Sequence, residues 1–148
     1  MARAGAPSDS GRMKQIRVLL VDDSVEFLKS ASDFLSRDPR VLVVGQAYDG
    51  AEGVRLAEAL VPDLVLMDLA MPGMSGLAAT CLMKLAWPTP PRVVIVTMHD
   101  SSEHRKRAAD TTRADAFICK EQFAEAVTNV IETLFNRPAV FGPTGSTL

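Results

Sequence analysis

The sequence predicts an α/β protein in which five parallel strands form one sheet with helices on both faces. Short runs of branched apolar residues alternate along the chain with segments of helical period, and no run approaches the roughly 18 residues of a membrane helix. Strands that are apolar at nearly every position are buried on both faces, as in a parallel sheet. With right-handed crossovers, five such units form a doubly wound (βα)5 sheet, for which 2-1-3-4-5 is the usual strand order.

Five apolar runs are the predicted strands, and most of them end in a polar residue. They are Ile16–Asp22, Val41–Ala47, Asp63–Asp68, Arg92–Thr97 and the weaker Asp115–Lys120.

A segment of helical period follows each predicted strand. Glu103–Ala109, after the fourth strand, is short and very polar, whereas the segment after the fifth strand has the clearest apolar stripe. The predicted stripes are Val25, Leu28, Phe34 and Leu35; Val54, Leu56, Ala57 and Leu60; Leu77, Cys81, Leu82 and Leu85; and Phe123, Ala126, Val127, Val130, Ile131, Leu134 and Phe135.

Length and charge indicate one globular domain of ordinary size. The 148 residues include 16 basic and 18 acidic side chains, a formal net charge of −2, which does not favour nucleic-acid binding by bulk charge. We predict the domain at residues 15–137, between an N-terminal tail (1–14) and a C-terminal tail (138–148) that lack periodicity and are disordered or flexible. The N-terminus has no apolar block of the secretory kind, so we expect a cytoplasmic protein.

Polar residues cluster where the predicted strands end. Asp22 and Asp23 end the first strand, Asp68 the third, Thr97 the fourth and Lys120 the fifth. In a doubly wound sheet, ligands bind beyond the carboxyl ends of the strands, at the point where the strand order reverses. For the order 2-1-3-4-5 this point lies between strands 1 and 3, so we expect these side chains to converge there.

This combination of side chains suits phosphoryl transfer. Three carboxylates within a few ångströms repel one another and call for a cation, and an oxygen-only ligand set suits Mg²⁺. One of the carboxylates is then the nucleophile, while the metal ion, the Thr97 hydroxyl and the Lys120 ammonium hold the phosphoryl oxygens.

Four motifs resemble one known family, the receiver domains of two-component response regulators. They are VDDS (Val21–Ser24), LMDLAMPGMSG (Leu66–Gly76), VTMHD (Val96–Asp100) and ADAFICK (Ala114–Lys120). The resemblance covers about Ile16 to Phe135 and implies the flavodoxin-like receiver fold. Met-His-Asp after Thr97 is similar to regulators of the NarL or LuxR kind. Their helix-turn-helix output domain is not expected here, because the segment after Arg137 is too short to fold.

The resemblance implies a role for each matching residue. Asp68 is implied to be the phosphoacceptor, and Asp23, its neighbour Asp22 and the backbone carbonyl of Ala70 are implied to be three further magnesium ligands. Thr97 is implied to be the switch hydroxyl, Lys120 the phosphate-binding lysine and Phe117 the switch aromatic.

Two positions depart from the family pattern. Arg113 stands where a glycine usually precedes Ala-Asp, which predicts a changed turn or a strain of about 1 kcal/mol. Met98 is bulkier than the alanine of many relatives and is expected to crowd the approach to the phosphoryl group.

The resemblance implies a phosphorylation-controlled interaction module rather than an enzyme, although it assists its own phosphorylation and dephosphorylation. A histidine kinase or histidine phosphotransfer protein phosphorylates Asp68, and the surface of the fourth helix, fifth strand and fifth helix then changes its affinity for a downstream protein or a second copy. Neither nucleic acid nor membrane is an expected partner.

Three alternatives stay open at this point. The chain could be a degenerate receiver that signals by binding alone, or the receiver fragment of a DNA-binding regulator. An aspartate-nucleophile phosphatase on a similar sheet needs a second acid two residues after the nucleophile of the first strand. Ser24 and Val25 occupy that place here, which argues against this third alternative.

Overall fold

The computed structural model describes residues 14–98 and 112–138, and five parallel strands form one sheet in the order β2-β1-β3-β4-β5. The predicted fold class and strand order are therefore confirmed, and each predicted strand boundary agrees within one residue. The strands are β1 (Ile16–Val21), β2 (Val41–Ala47), β3 (Leu64–Asp68), β4 (Arg92–Thr97) and β5 (Ala116–Cys119).

Four helices follow strands in the described part of the chain. They are α1 (Val25–Ser36), α2 (Gly50–Leu60), α3 (Gly76–Ala86) and a C-terminal helix (Phe123–Phe135), which continues from a single 3-10 turn at Lys120–Gln122. The predicted helix at 103–109 lies outside the described residues, as do all but one residue of each predicted tail. Within the described ranges, none of the helices combines the length and the apolar character needed to cross a bilayer.

Side-chain caps start three of these helices directly above the sheet. The hydroxyl of Ser24 accepts from the N–H of Phe27, the Asp49 carboxylate from Glu52, and the hydroxyl of Ser75 from Ala78. Each cap satisfies a backbone donor that the first helical turn leaves unpaired. The chain therefore turns into α1 directly after Asp22 and Asp23, which keeps these two acids in a short loop at the end of β1.

The sheet separates two apolar layers. On one side, α1 and the C-terminal helix bury Leu28 and Ile131 against the strands. On the other side, α2 and α3 bury Ala57 and Met83. Both faces of the central strands are thus covered, as their continuous apolar sequences predict.

The predicted buried face of α3 is wrong. Leu82 and Leu85 are 41% and 59% exposed, whereas Ala79 and Met83 are fully buried. Lys84 is the only charged residue in this helix. A helix that is apolar nearly all round carries no period from which to select the buried face.

The turn before β5 confirms the expected strain at Arg113. This residue has a φ of 62°, a left-handed conformation that disfavours a side chain by roughly 1 kcal/mol. Beyond it, the Asp115 carboxylate accepts from the N–H of Val93 at 2.7 Å and pairs with Lys84 at 2.7 Å and Arg92 at 3.3 Å. These contacts attach the start of β5 to β4 and α3, and so place the other end of β5 beside the acidic residues.

Candidate functional site

Three carboxylates converge at the carboxyl ends of the two central strands. Asp22 directly follows β1 and Asp68 ends β3, and the neighbouring residues Val21 and Met67 are paired in register. One carboxylate oxygen from each of Asp22, Asp23 and Asp68 lies within 4.8 Å of the others. Asp22 and Asp68 are buried and Asp23 is exposed, so solvent reaches the cluster at Asp23.

One ammonium group faces this cluster. The Nζ atom of Lys120 lies 2.7 Å from Oδ2 of Asp22 and 3.5 Å from Oδ1 of Asp68. The other oxygen of Asp22, Oδ1, accepts from the N–H of Ser24 at 2.8 Å. Among the described residues, Oδ2 of Asp22 has no well-aligned hydrogen bond, so only the ion pair compensates its burial. Within the part of the chain that the structure describes, three carboxylates against one ammonium leave an excess of negative charge that suits a bound cation.

Burial raises the pKa of Asp68 to about 6, and the Asp22 carboxylate adds to this effect. Lys120 opposes the rise in pKa, while Asp23 reinforces it. Asp68 is therefore a more basic carboxylate than an exposed aspartate, yet it is mostly ionised at neutral pH.

Asp68→Asn is expected to raise the free energy of unfolding at pH 7 in the presence of EDTA. The gain should be about 1 to 2 kcal/mol, after allowance for solvent on the open side of the cluster. A raised pKa means that ionised Asp68 destabilises the folded state. This destabilisation is fully present above about pH 6, the pKa in the folded protein, and absent below pH 3.8, the ordinary pKa of aspartate. Urea unfolding between pH 4 and 8 should show the gain shrinking as the pH falls through 6. A gain that does not depend on pH would contradict this electrostatic explanation.

The loop between β3 and α3 passes very close to Asp68. The N–H of Gly76, the first residue of α3, donates to the carbonyl of Leu69 at 2.9 Å. A Cβ atom at Gly76 would overlap the carbonyl oxygen of Asp68, so only glycine permits α3 to begin here. Ala70 lies exposed in this loop, two residues after Asp68.

Thr97 and Phe117 lie on the two strands next to the carboxylates. Thr97 ends β4, is buried, and is paired in register with Cys119, the residue before Lys120. Phe117 is half-buried on β5 and packs into the core layer of α2 and α3. The strand-end residues are thus brought to one edge as expected, while the roles of the seven candidate residues stay predictions.

Sequence reasoning missed Phe27, whose ring centroid lies 4.6 Å from Nζ of Lys120. The apolar stripe of α1 singled out Phe34 but not Phe27, although seven residues separate the two and such a spacing places them on one helix face. The sequence did offer one signal, an aromatic residue in the first turn of the helix that follows the acidic pair Asp22-Asp23.

Residues 18–132 match the family model of the response regulator receiver domain. The chain belongs to this receiver family. Receiver domains are parts of two-component response regulators, and the resemblance carried by the four sequence motifs is therefore confirmed.

Individual relatives agree with this assignment. The transcriptional regulatory protein LiaR of Bacillus subtilis (strain 168) is 52% identical over 65 residues, which cover 44% of this chain and 31% of LiaR. The response regulator domain of Thermotoga maritima CheB superposes with a TM-score of 0.74 at 32% identity, covering 84% of this chain and 98% of that domain. The receiver domain of a NarL regulator from Mycobacterium tuberculosis superposes with a TM-score of 0.72 at 30% identity, covering 81% of this chain and 98% of that domain.

The curated relatives are longer proteins than this receiver. The chain spans about a third, or less, of the length of those it matches, LiaR included. Their activities as whole proteins are therefore not established for this receiver by the similarity.

Proposed function

We propose that this receiver takes up a phosphoryl group on Asp68 in the presence of Mg²⁺, and that the phosphorylated state binds a different protein partner. The phosphoryl donor is a sensor histidine kinase or a histidine phosphotransfer protein. The observation that carries the proposal is the cluster of three carboxylates within 4.8 Å, faced by the ammonium of Lys120.

The residues present fit a magnesium ion. Receiver domains bind Mg²⁺ at an acidic pocket of this kind. Here the donor set is oxygen only, the charge excess is negative, and Oδ2 of Asp22 lacks an aligned hydrogen bond within the described residues. Asp22, Asp23, Asp68 and the carbonyl of Ala70 would hold the ion, which would supply positive charge to the phosphoryl oxygens.

The nucleophile in this proposal is a carboxylate oxygen of Asp68. It forms a bond to phosphorus while the bond from phosphorus to the donor atom breaks, and the leaving group keeps that electron pair. The raised pKa makes the oxygen more basic without protonating it at neutral pH. Lys120 and Thr97 then donate hydrogen bonds to the phosphoryl oxygens, where negative charge is spread.

In the proposed switch, a change at the carboxylate cluster is passed through Thr97 to Phe117 on β5. Thr97 is paired with Cys119, and Phe117 precedes Cys119 by two residues on the same strand. A shift of Thr97 toward a phosphoryl oxygen would allow Phe117 to move inward. This movement would change the surface of the predicted fourth helix, β5 and the C-terminal helix.

Incubation with acetyl phosphate, with and without Mg²⁺, tests the proposal by intact-protein mass spectrometry. We expect one phosphoryl group per chain with Mg²⁺ and almost none with EDTA. A chain that folds, binds Mg²⁺ and takes up no phosphate would instead support the degenerate receiver that signals by binding alone.

Millimolar Mg²⁺ is expected to raise the melting temperature, and Asp23→Ala should abolish the rise. A ligand bound only to the folded state stabilises it by RT ln(1 + [L]/Kd), which is less than about 1.5 kcal/mol for a Kd near millimolar. Asp33→Ala is the matched control, because Asp33 is an exposed acid of α1 away from the cluster. Equal shifts in the melting temperature of wild type and Asp23→Ala would remove Asp23 from the metal site.

Lys120→Ala is expected to retain some phosphate uptake but to uncouple uptake from the change in surface. Asp68 and Mg²⁺ remain, whereas the phosphorylated state loses a charge-assisted contact of about 1.5–3 kcal/mol. This loss is comparable to the few kcal/mol that separate two such states. Nuclear magnetic resonance shifts near Phe117, with and without beryllofluoride, provide the measurement.

Lys29→Ala is the control for this variant, since it removes the same side chain at an exposed position of α1. A complete wild-type shift pattern in Lys120→Ala would exclude the lysine from the coupling.

A further inference from the structure

Among the residues that the structure describes, three groups face the ammonium of Lys120, and one of them is an aromatic ring. Two sides face Asp22 and Asp68, at 2.7 Å and 3.5 Å, and a third faces the Phe27 ring, whose centroid is 4.6 Å from Nζ. This distance is well inside the roughly 6 Å over which a cation is attracted to a ring face. The Lys120 side chain is only 13% exposed, so water screens this attraction little.

One further aromatic side chain packs directly against the Phe27 ring, and a second packs on that neighbour. Phe27 contacts Phe123 edge to face, with centroids 5.2 Å apart and planes at 83°. Phe123 contacts Phe34 in the same way at 6.3 Å and 73°. Phe123 begins the C-terminal helix just after the turn that carries Lys120. The ring and the lysine are therefore fixed to each other through the packing of α1 on the C-terminal helix.

A cavity of about 330 Å³ lies beside this contact, and two competing carboxylates line it. Glu26 and Glu121 border the cavity together with Phe27 and Lys120, and both glutamates are exposed. A lysine side chain has a flexible four-carbon stem and could turn toward either of them. Where the Lys120 ammonium faces this cavity, the Phe27 ring lies next to it.

We propose that Phe27 is a positioning residue for Lys120, which keeps the ammonium over Asp22 and Asp68 and away from the two glutamates. The ring attracts the ammonium without supplying an oxygen acceptor, so the N–H donors stay available to carboxylate and phosphoryl oxygens. The inference rests on the proposed function, because its consequence is tighter binding of the phosphoryl group.

Three single variants separate positioning from packing. Phe27→Leu removes the aromatic face but keeps an apolar side chain, and Phe27→Tyr keeps the face. Phe34→Leu is the matched control, because Phe34 packs on the same Phe123 ring from the same helix, and the Lys120 ammonium lies over Phe27 instead. Each variant is titrated with beryllofluoride in the presence of Mg²⁺, and the half-saturating concentration is measured.

We expect Phe27→Leu to raise the half-saturating concentration about fivefold. Phe27→Tyr and Phe34→Leu should stay within about twofold of wild type. In the unliganded protein, the ε-methylene protons of Lys120 should show an upfield ring-current shift, which Phe27→Leu abolishes and Phe34→Leu preserves. The shift reports the contact itself, independently of phosphorylation.

The outcomes distinguish this inference from the function on which it rests. Wild type that does not bind beryllofluoride would contradict the proposed function and the positioning role with it. Wild type that binds, with equal affinity in Phe27→Leu, would overturn the positioning role alone. Equal weakening in Phe27→Leu and Phe34→Leu would also overturn it, because packing would then account for the effect.

A further variant tests the competing carboxylates. Glu26→Gln and Glu121→Gln, added together to Phe27→Leu, should recover at least half of the lost affinity for beryllofluoride. No recovery would contradict the capture of Lys120 by these glutamates.

Discussion

Asp68→Asn is expected to reduce phosphate uptake from acetyl phosphate to the detection limit while the fold is retained. The side chain keeps its size and shape but loses the charged oxygen that attacks phosphorus. Asp68 is buried beside the Asp22 carboxylate, so its replacement also removes repulsion within the carboxylate cluster. Intact-protein mass after incubation with acetyl phosphate and Mg²⁺ measures the uptake, and circular dichroism confirms the fold.

Asp33→Asn is the matched control for this experiment, because it makes the same chemical change at an exposed acid of α1. It should take up phosphate as wild type does. Persistent uptake in Asp68→Asn would contradict the assignment of Asp68 as the nucleophile and direct attention to Asp22 or Asp23.

Gly76→Ala is expected to lower the free energy of unfolding by about 3 kcal/mol, the upper part of the range for overpacked sites. The new methyl group would overlap the carbonyl oxygen of Asp68 and crowd the Met67 side chain, so the start of α3 must move. The methyl group would overlap backbone atoms, so a change of side-chain rotamer cannot relieve the overlap. The displacement should also reduce phosphate uptake, because it moves the last residue of β3.

Gly73→Ala is the matched control in the same loop. Gly73 has a φ of 73° but nothing within 4 Å of an added Cβ, so its replacement costs only the backbone strain of about 1 kcal/mol. Urea unfolding of both variants should show this difference. Equal losses would mean that the close approach at Gly76 does not control this loop.

The strand order and the convergence of the acids could be predicted from the sequence because both follow from the sheet. Parallel strands buried on both faces are apolar throughout, and their carboxyl ends meet at one edge. Asp22 directly follows β1 and Asp68 ends the neighbouring strand β3, so their proximity follows from the strand order alone.

Features that depend on side-chain packing were harder to predict. The exposed face of α3, with Leu82 and Leu85, could not be identified because this helix carries too little polar contrast. Val25 was assigned to the apolar stripe of α1, yet it is 65% exposed at the first residue of that helix. The contact of Phe27 with Lys120 joins residues 93 positions apart, and no local pattern encodes the angle at which α1 packs on the C-terminal helix.

The proposed function depends most directly on where the phosphoryl group is attached. Reduction of the phosphorylated protein with borohydride converts an aspartyl phosphate to homoserine, and peptide sequencing by mass spectrometry then locates the modified residue. We predict homoserine at position 68 in the sample treated with acetyl phosphate and Mg²⁺, and none in the sample treated with EDTA. Homoserine at another position, or a phosphorylated protein that contains no homoserine, would contradict the central claim.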